Sequence, residues 1–384
     1  MRLVYAFPEP LPLPKARGIQ TAWMVDALCA AGVEVCLAHV PAGAHPLQSL
    51  GRQDSHTKLE LLPLSRNWPF PLQRWHSVSR FAGRLQGRFA THRPDAVFVR
   101  HLKLAYRLLR ARPDLPLFYE AHEVFAATAP AAKRMALEAQ EAYVLARAAG
   151  VVYISGAVRQ ALHQEYRVGG AEIVLHSGVD LPPVVPEKNW SNCGRHILYA
   201  GSFWGWKGVD DLVAAAAHLP GCRVTLLGGE AVELERLRAA VSPAGAEVVL
   251  LPRLPPEQVM GRMLQTCIAV LPNRSDGVSQ FTSPLKLFEY MGAGCAVVAA
   301  DLPSIREVLP AEHAAWFTPG DPRSLAAALR QLTEQPELAR RHGEAARRLA
   351  QNCTWQARAE ALVEFMNNVV SGYRRDRPAA AYLP

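Results

Sequence analysis

The chain has 384 residues, 50% of them apolar, which is enough to bury two cores of about 150–200 residues each and too many for one small module. Charged residues make up 20%, and 42 Lys+Arg against 34 Asp+Glu give a net charge of +8, a balance that excludes composition-driven disorder and a polybasic tail protein. The surplus is uneven: residues 1–190 hold 22 basic and 15 acidic side chains, residues 191–384 hold 20 and 19, and 65–115 alone hold 11 and 2. Such a patch calls for an anionic partner of the first half: a membrane surface, a phosphorylated substrate or nucleic acid.

The opening run of residues 1–7 breaks at Pro8 and is too short for a secretory signal, and no window reaches about 18 uncharged apolar residues. The seven cysteines at 29, 36, 193, 222, 267, 295 and 353 are scattered and never spaced C-x-x-C, so neither a disulfide framework nor a zinc site is expected. A cytoplasmic, reducing setting follows as the expectation.

Short apolar runs alternate with helical periodicity along the chain, the pattern of parallel sheets built from strand-helix-strand units. Strands are predicted at 3–7, 33–40, 59–64, 96–99, 117–119, 151–154 and 173–175, with helices at 18–31, 72–91, 102–112, 132–149 and 156–165. A Pro-rich stretch without periodicity follows. The series then restarts with strands at 197–200, 223–227, 247–251, 268–271, 296–300 and 315–317 and helices at 208–219, 231–240, 256–265, 284–292 and 321–334. The expected organisation is an α/β chain of two Rossmann-like domains, at 1–180 and 195–354, joined by a linker at 181–194. A closing helix at 355–372, able to cross back to the first domain, and a tail at 373–384 complete it. Ligands of such sheets bind at the carboxyl ends of the strands, so the active site is expected in a cleft between the two domains.

A dinucleotide fingerprint G-x-G-x-x-G and a Walker A sequence are both absent, which removes NAD chemistry and P-loop hydrolysis. Turns at strand ends remain. In Lys15-Ala16-Arg17-Gly18-Ile19-Gln20, Gly18 either admits an anionic ligand to backbone N–H groups at a helix N-terminus or serves loop geometry alone. Tyr119-Glu120-Ala121-His122-Glu123 puts His122 just past a strand end, where cleft residues belong, although a lone His is more often a hydrogen-bonded structural residue. Gly178 and Asp180 mark the domain junction.

Two turns carry more. Gly201-Ser202-Phe203-Trp204-Gly205-Trp206-Lys207-Gly208 follows a strand and opens a helix, and the mobile ammonium of Lys207 can neutralise a diphosphate there. In Phe281-Thr282-Ser283-Pro284-Leu285-Lys286-Leu287-Phe288-Glu289, a helix starts under Thr-Ser-Pro, with Pro in the first turn and hydroxyls near the cap. Its free N–H groups form an anion site. Lys286 and Glu289, three apart, share a face; the carboxylate can accept both vicinal hydroxyls of a ribose, or the two form an ordinary surface pair.

With these residues the chain resembles the family 4 retaining glycosyltransferases, whose GT-B fold has two facing Rossmann-like domains. Gly18-Ile19-Gln20, Ser177-Gly178-Val179-Asp180, Gly201 to Lys207-Gly208, and Ser283-Pro284-x-Lys286-x-x-Glu289-Tyr290-Met291 to Gly294 occur in the family's order. The resemblance implies that Glu289 binds the ribose and that Lys207 meets the donor diphosphate. It makes the backbone from Thr282 through Ser283 and Pro284 to Leu285 the phosphate and sugar cradle, places His122 near the donor sugar, and puts Arg253 in the loop that reads the nucleobase; Gly18, Ser202 and Lys286 complete the donor site. It implies no metal and no cofactor beyond the nucleotide-diphosphate sugar itself. The expected activity is retaining transfer of a sugar to a glycan or lipid-linked acceptor in cell-envelope or polysaccharide biosynthesis, with a sugar-nucleotide 2-epimerase or a non-catalytic nucleotide-sugar-binding protein as alternatives.

Two positions depart from the family pattern. Phe281 stands where many members have a first Glu eight residues before Glu289, and Ser202-Phe203 lacks the Arg that accompanies the diphosphate Lys. Lys286 or Arg274 is the expected substitute for that Arg. Finally, in 71–95 the apolar Leu72, Trp75, Val78, Phe81, Leu85 and Phe89 recur every three or four residues among Arg74, Arg80, Arg84 and Arg88. This helix either covers the sheet or, through Trp75, Arg80, Arg84 and Arg88, faces an anionic membrane. No nucleic-acid-binding motif accompanies the charge.

Overall fold

The structure, a computed structural model, describes residues 1–47, 57–67, 77–276, 279–281 and 283–375, the side chains of 192, 193 and 373–375 apart. It divides into two units, Met1–His176 together with the chain from Trp355 onward, and Ser177–Thr354. The division falls at 176 rather than at 180, and the stretch 181–194 belongs to the second unit. There Lys188 Nζ donates to the carbonyl oxygens of Thr266 (2.5 Å) and Met263 (3.5 Å), satisfying carbonyls at the end of the helix Pro256–Leu264. A short helix Trp190–Cys193, which the Pro-rich composition did not suggest, follows.

The first unit is a seven-stranded sheet: β1 (Arg2–Leu11), β2 (Glu34–Pro41), β3 (Leu59–Pro63), β4 (Ala96–Val99), β5 (Leu117–Ala121), β6 (Gly150–Tyr153) and β7 (Ala171–Val174), in the order β3-β2-β1-β4-β5-β6-β7. Every pairing is parallel. Parallel sheets are covered on both faces, so their inner strands are apolar throughout rather than alternating, and all four residues of β4 are buried. The last helix, Trp355–Arg375, packs against the first, Ala16–Ala30, and Phe365 meets Phe118 of β5 edge to face at 5.8 Å.

The second unit is a six-stranded parallel sheet: β8 (His196–Ala200), β9 (Arg223–Gly229), β10 (Glu247–Pro252), β11 (Ile268–Leu271), β12 (Ala296–Ala300) and β13 (Ala315–Phe317), in the order β10-β9-β8-β11-β12-β13. Its pairings are likewise parallel. In each sheet the strand order reverses once, at β1/β4 and at β8/β11, and such a switch point opens a crevice at the carboxyl ends of the strands.

Three expectations need correction. Of the single helix predicted over 72–91, residues 72–76 lie outside the described residues, and the rest is split into Val78–Gln86, capped by the Ser77 hydroxyl, and a separate turn Phe89–His92 ended by Arg93 at φ 40°. Its apolar stripe is not free for lipid: Phe81, Leu85 and Phe89 are buried in the unit's own core and Arg80 is half-buried, leaving Arg84 and Arg88 exposed. Trp75, also expected to face a membrane, lies outside the described residues. Lastly, Cys267 is disulfide-bonded, against the expectation from cysteine spacing, while Cys29, Cys36, Cys222, Cys295 and Cys353 are free thiols. Among the described residues no helix is long and apolar enough to cross a membrane.

Candidate active site

The switch crevice of the second unit assembles residues from the loops after β8 and β11. The first loop turns through Gly205–Lys207 into Gly208, which adopts φ 67°; a β-carbon there would lie 1.7 Å from the Pro272 carbonyl oxygen of the second loop. Only glycine allows both the left-handed backbone and that approach. The two loops are tied further by Arg274 N donating to Trp206 O at 3.0 Å. Arg274 then makes a two-pronged ion pair with the buried Asp211, Nε to Oδ2 and Nη2 to Oδ1 both at 2.7 Å. Arg274, expected as a substitute for the family's second cation, is thus engaged by Asp211.

Lys207 is half-buried, with Nζ 4.0 Å from the centroid of the Trp206 ring. Burial, and then the charge of Lys286, lower its ammonium to about 8. Among the described residues no carboxylate pairs with Lys207, so this is a cation held in partly desolvated surroundings beside a second one. Ser202 lies half-buried in the same loop, its carbonyl accepting from Tyr199 Oη at 2.7 Å.

The third contributor is the helix Leu285–Gly292. Pro284 is its cap residue rather than a member of the first turn, and among the described residues no side chain caps it. The hydroxyl expected at the cap is used elsewhere: Ser283 Oγ accepts from Ser177 N at 3.0 Å and the Ser283 carbonyl accepts from Ser177 Oγ at 3.2 Å. The first N–H groups of the helix therefore keep their capacity for an anion. Lys286 Nζ donates to Glu289 Oε2, so the surface-type pair forms, with both side chains part-exposed and able to turn to a ligand. Tyr290 Oη accepts from Ala200 N at 2.7 Å, pinning this helix to the end of β8 and so to the Lys207 loop. Arg253, at the end of β10, is exposed and pairs with Glu230 at 3.2 Å. Thr282 lies outside the described residues.

In the first unit the switch point gathers Arg100, after β4, and His122, after β5. Arg100 Nη1 donates to Gln20 Oε1 at 3.0 Å and to the Arg17 carbonyl at 3.2 Å, on the helix that follows β1. Its Nη2 stands 3.3 Å from His122 Nδ1, and His122 Nε2 stands 2.7 Å from Glu120 Oε2. A guanidinium only donates and a carboxylate only accepts, so the ring proton sits on Nε2 and Nδ1 accepts. Burial, and then the Arg100 charge, hold the imidazole well below its ordinary value, so it is neutral at pH 7. Burial alone would raise the Glu120 carboxyl, but His122 and Arg358 override it and keep it ionised.

Gly18 has a packing reason: a β-carbon there would lie 2.4 Å from the Leu13 carbonyl oxygen, and Gly18 N already donates to Lys15 O at 2.9 Å. Loop geometry alone accounts for it. The residues that sequence reading missed are Arg100, Gln20 and Arg358. Arg100 stands directly after a strand, as His122 does, and that position was the one signal available; Arg358 lies in an ordinary amphipathic helix and gives none.

Comparison with known proteins bears on the family and the fold. Residues 18–177 match the family described as glycosyl transferase 4-like domain, and residues 194–335 match glycosyl transferases group 1. A glycogen synthase of Mycobacterium tuberculosis (strain CDC 1551 / Oshkosh) is 25% identical, over 92% of this chain and 91% of the relative. Among solved structures, sucrose-phosphate synthase from Thermosynechococcus elongatus superposes with a TM-score of 0.77 at 18% identity, covering 97% of this chain and 99% of that one. Anabaena HepE in complex with UDP-glucose gives a TM-score of 0.72 at 15% identity, covering 96% and 100%. The fold is GT-B, and the chain belongs to the group 1 glycosyltransferases.

Proposed function

We propose that the protein transfers a sugar, with retention of anomeric configuration, from a nucleotide-diphosphate sugar to a glycan or lipid-linked acceptor in cell-envelope or polysaccharide biosynthesis. The observation that carries this reading is Lys207, a partly desolvated cation without a carboxylate partner among the described residues, beside Lys286 and the uncapped helix Leu285–Gly292. That arrangement suits a diphosphate leaving group. As the bond between the anomeric carbon and the β-phosphate oxygen breaks, Lys207, Lys286 and the N–H groups at the start of the helix stabilise the developing negative charge; the acceptor hydroxyl oxygen bonds to the anomeric carbon on the same face, and the departing phosphate oxygen takes its proton.

Glu289 exchanges its Lys286 contact for the ribose hydroxyls, and Arg253 serves the nucleobase. The N-terminal unit binds the acceptor, with His122, neutral and with both ring nitrogens occupied, serving the reacting sugar through its fixed position rather than as a proton acceptor. No metal takes part in the transfer. The enzyme works in the cytoplasm, drawn to an anionic membrane face by exposed Arg84 and Arg88.

HepE is described with UDP-glucose, so UDP-glucose heads the donors to test. A thermal-shift screen against UDP, GDP, ADP, CMP and dTDP sugars identifies the donor, because a ligand of the native state raises the melting temperature by mass action. Incubation with donor alone separates the readings: an epimer of the donor without acceptor overturns transfer, and donor binding without turnover across an acceptor panel points to an accessory protein.

A further inference from the structure

Three residues of different chemistry meet in the first unit, away from the site described above. β2 and β3 run parallel with Cys36 opposite Glu60 in register, and His92 ends the short helix Phe89–His92 beside them. One potential ligand atom from each, a thiol sulfur, a carboxylate oxygen and a ring nitrogen, lie within 4.8 Å of one another. Cys36 and Glu60 stand near the amino ends of their strands, whereas His122 stands past the carboxyl end of β5, so the cluster occupies the opposite edge of the sheet.

The hydrogen bonding of His92 leaves room for a proton or a metal ion between its ring and Glu60. Its Nδ1 lies 3.0 Å from the Arg88 carbonyl oxygen, and a carbonyl only accepts, so Nδ1 carries the ring proton. In the neutral ring Nε2 then presents a lone pair, and it faces Glu60 Oε1 at 2.9 Å. Two acceptors at that distance repel unless a second proton or a metal ion lies with them. Cys36 adds a third donor atom, buried against the same pair. Thiolate, imidazole and carboxylate together form a set suited to zinc-class ions, and a ring N–H given to a backbone carbonyl is how metal-binding histidines are oriented.

We propose that Cys36, Glu60 and His92 bind a divalent cation of the zinc class, with solvent in the fourth position. On binding, sulfur–metal, nitrogen–metal and oxygen–metal bonds form and the Cys36 proton leaves to solvent. The ion fastens the edge strand β3 and the helix Phe89–His92 to β2, a structural role independent of sugar transfer. Linear spacing hides such a site because its ligands come from three elements.

The test uses the full chain, freed of any affinity tag and treated with EDTA, then titrated with Zn²⁺ and with Co²⁺. The expected results are one equivalent of Zn²⁺ by calorimetry, a raised melting temperature, and a thiolate-to-cobalt charge-transfer band in the near ultraviolet. Cys36→Ser removes the band. Glu60→Gln, at a carboxylate 61% exposed and so neutral for folding, and His92→Gln weaken Zn²⁺ binding by more than the roughly tenfold that loss of an outer-shell partner costs. No band and no melting shift in the unsubstituted protein, which leaves His92 and Glu60 as a proton-mediated ion pair, overturns the proposal. So does metal binding that is the same in the Cys36→Ser and Glu60→Gln proteins.

Discussion

Arg358, on the last helix of the chain, holds the carboxylate of Glu120 in β5: Nη2 to Oε1 is 2.6 Å and both side chains are less than 5% exposed. The same guanidinium donates to the carbonyl oxygens of His176 at 2.7 Å and Leu175 at 3.3 Å, so its hydrogen-bonding capacity is well used. Removing one member of a buried pair strands the other charge, a loss of about 3–5 kcal/mol. Arg358→Met should destabilise the protein by that order in denaturant unfolding, and adding Glu120→Gln should restore a good part. Full stability in Arg358→Met would show that the pair carries no net weight.

Acid should act through the same cluster. His122 is held below its ordinary value of about 6.5, so on acidification the unfolded chain takes up a proton before the folded one does. Glu120 is held below its ordinary value, so its contribution is present above about 4.3 and fades below it. Both terms make stability fall as pH falls, beginning near 6.5. In His122→Gln the slope of stability against pH between about 6.5 and 4.5 should flatten; an unchanged slope would place its origin elsewhere.

Lys207→Ala and Glu289→Ala should each cost roughly 100-fold or more in transfer, by analogy with loss of a single electrostatic donor, with the fold intact by circular dichroism. Near-wild-type turnover in both proteins rules out the proposed donor site.

Donor affinity should depend on pH through Lys207. In the free protein burial and Lys286 lower its ammonium to about 8, while a bound diphosphate favours the charged form. Affinity is then level below pH 8 and declines as pH rises above it, by up to about tenfold per unit. Lys207→Arg, which stays charged, should bind donor without that decline. Calorimetry from pH 7 to 9.5 measures both.

Any attraction to membranes should be electrostatic alone, because Phe81, Leu85 and Phe89 are committed to the core. Flotation with anionic vesicles should recover the protein at low salt and release it at higher salt, with Arg84→Glu and Arg88→Glu lowering recovery. Equal recovery on neutral and anionic vesicles would contradict it.

The thirteen strands among the described residues could be read in the chain, the inner ones because strands inside parallel sheets are unbroken apolar runs: 96–99, 268–271 and 296–300 coincide with β4, β11 and β12. The basic helix was overextended because Gly87 and Arg88 do not interrupt the apolar period, although the backbone turns there. The Lys207 loop and the helix Leu285–Gly292 were visible as motifs. Ser283 lies beside the helix start as read, but its partner could not be read, because only the fold supplies Ser177.

Glu120 and Arg358 lie 238 residues apart, and nothing in local pattern connects them. By itself the amino-acid order determined the two α/β series, the glycosyltransferase motifs and the residues offered for catalysis, because periodicity and turn chemistry are local. The tertiary structure decided which nitrogen of His122 carries the proton, how far Lys207 is from its ordinary basicity and where the aromatic face of the basic helix points. Those properties depend on desolvation and on charges brought within a few ångströms by folding, and neither exists in the extended chain.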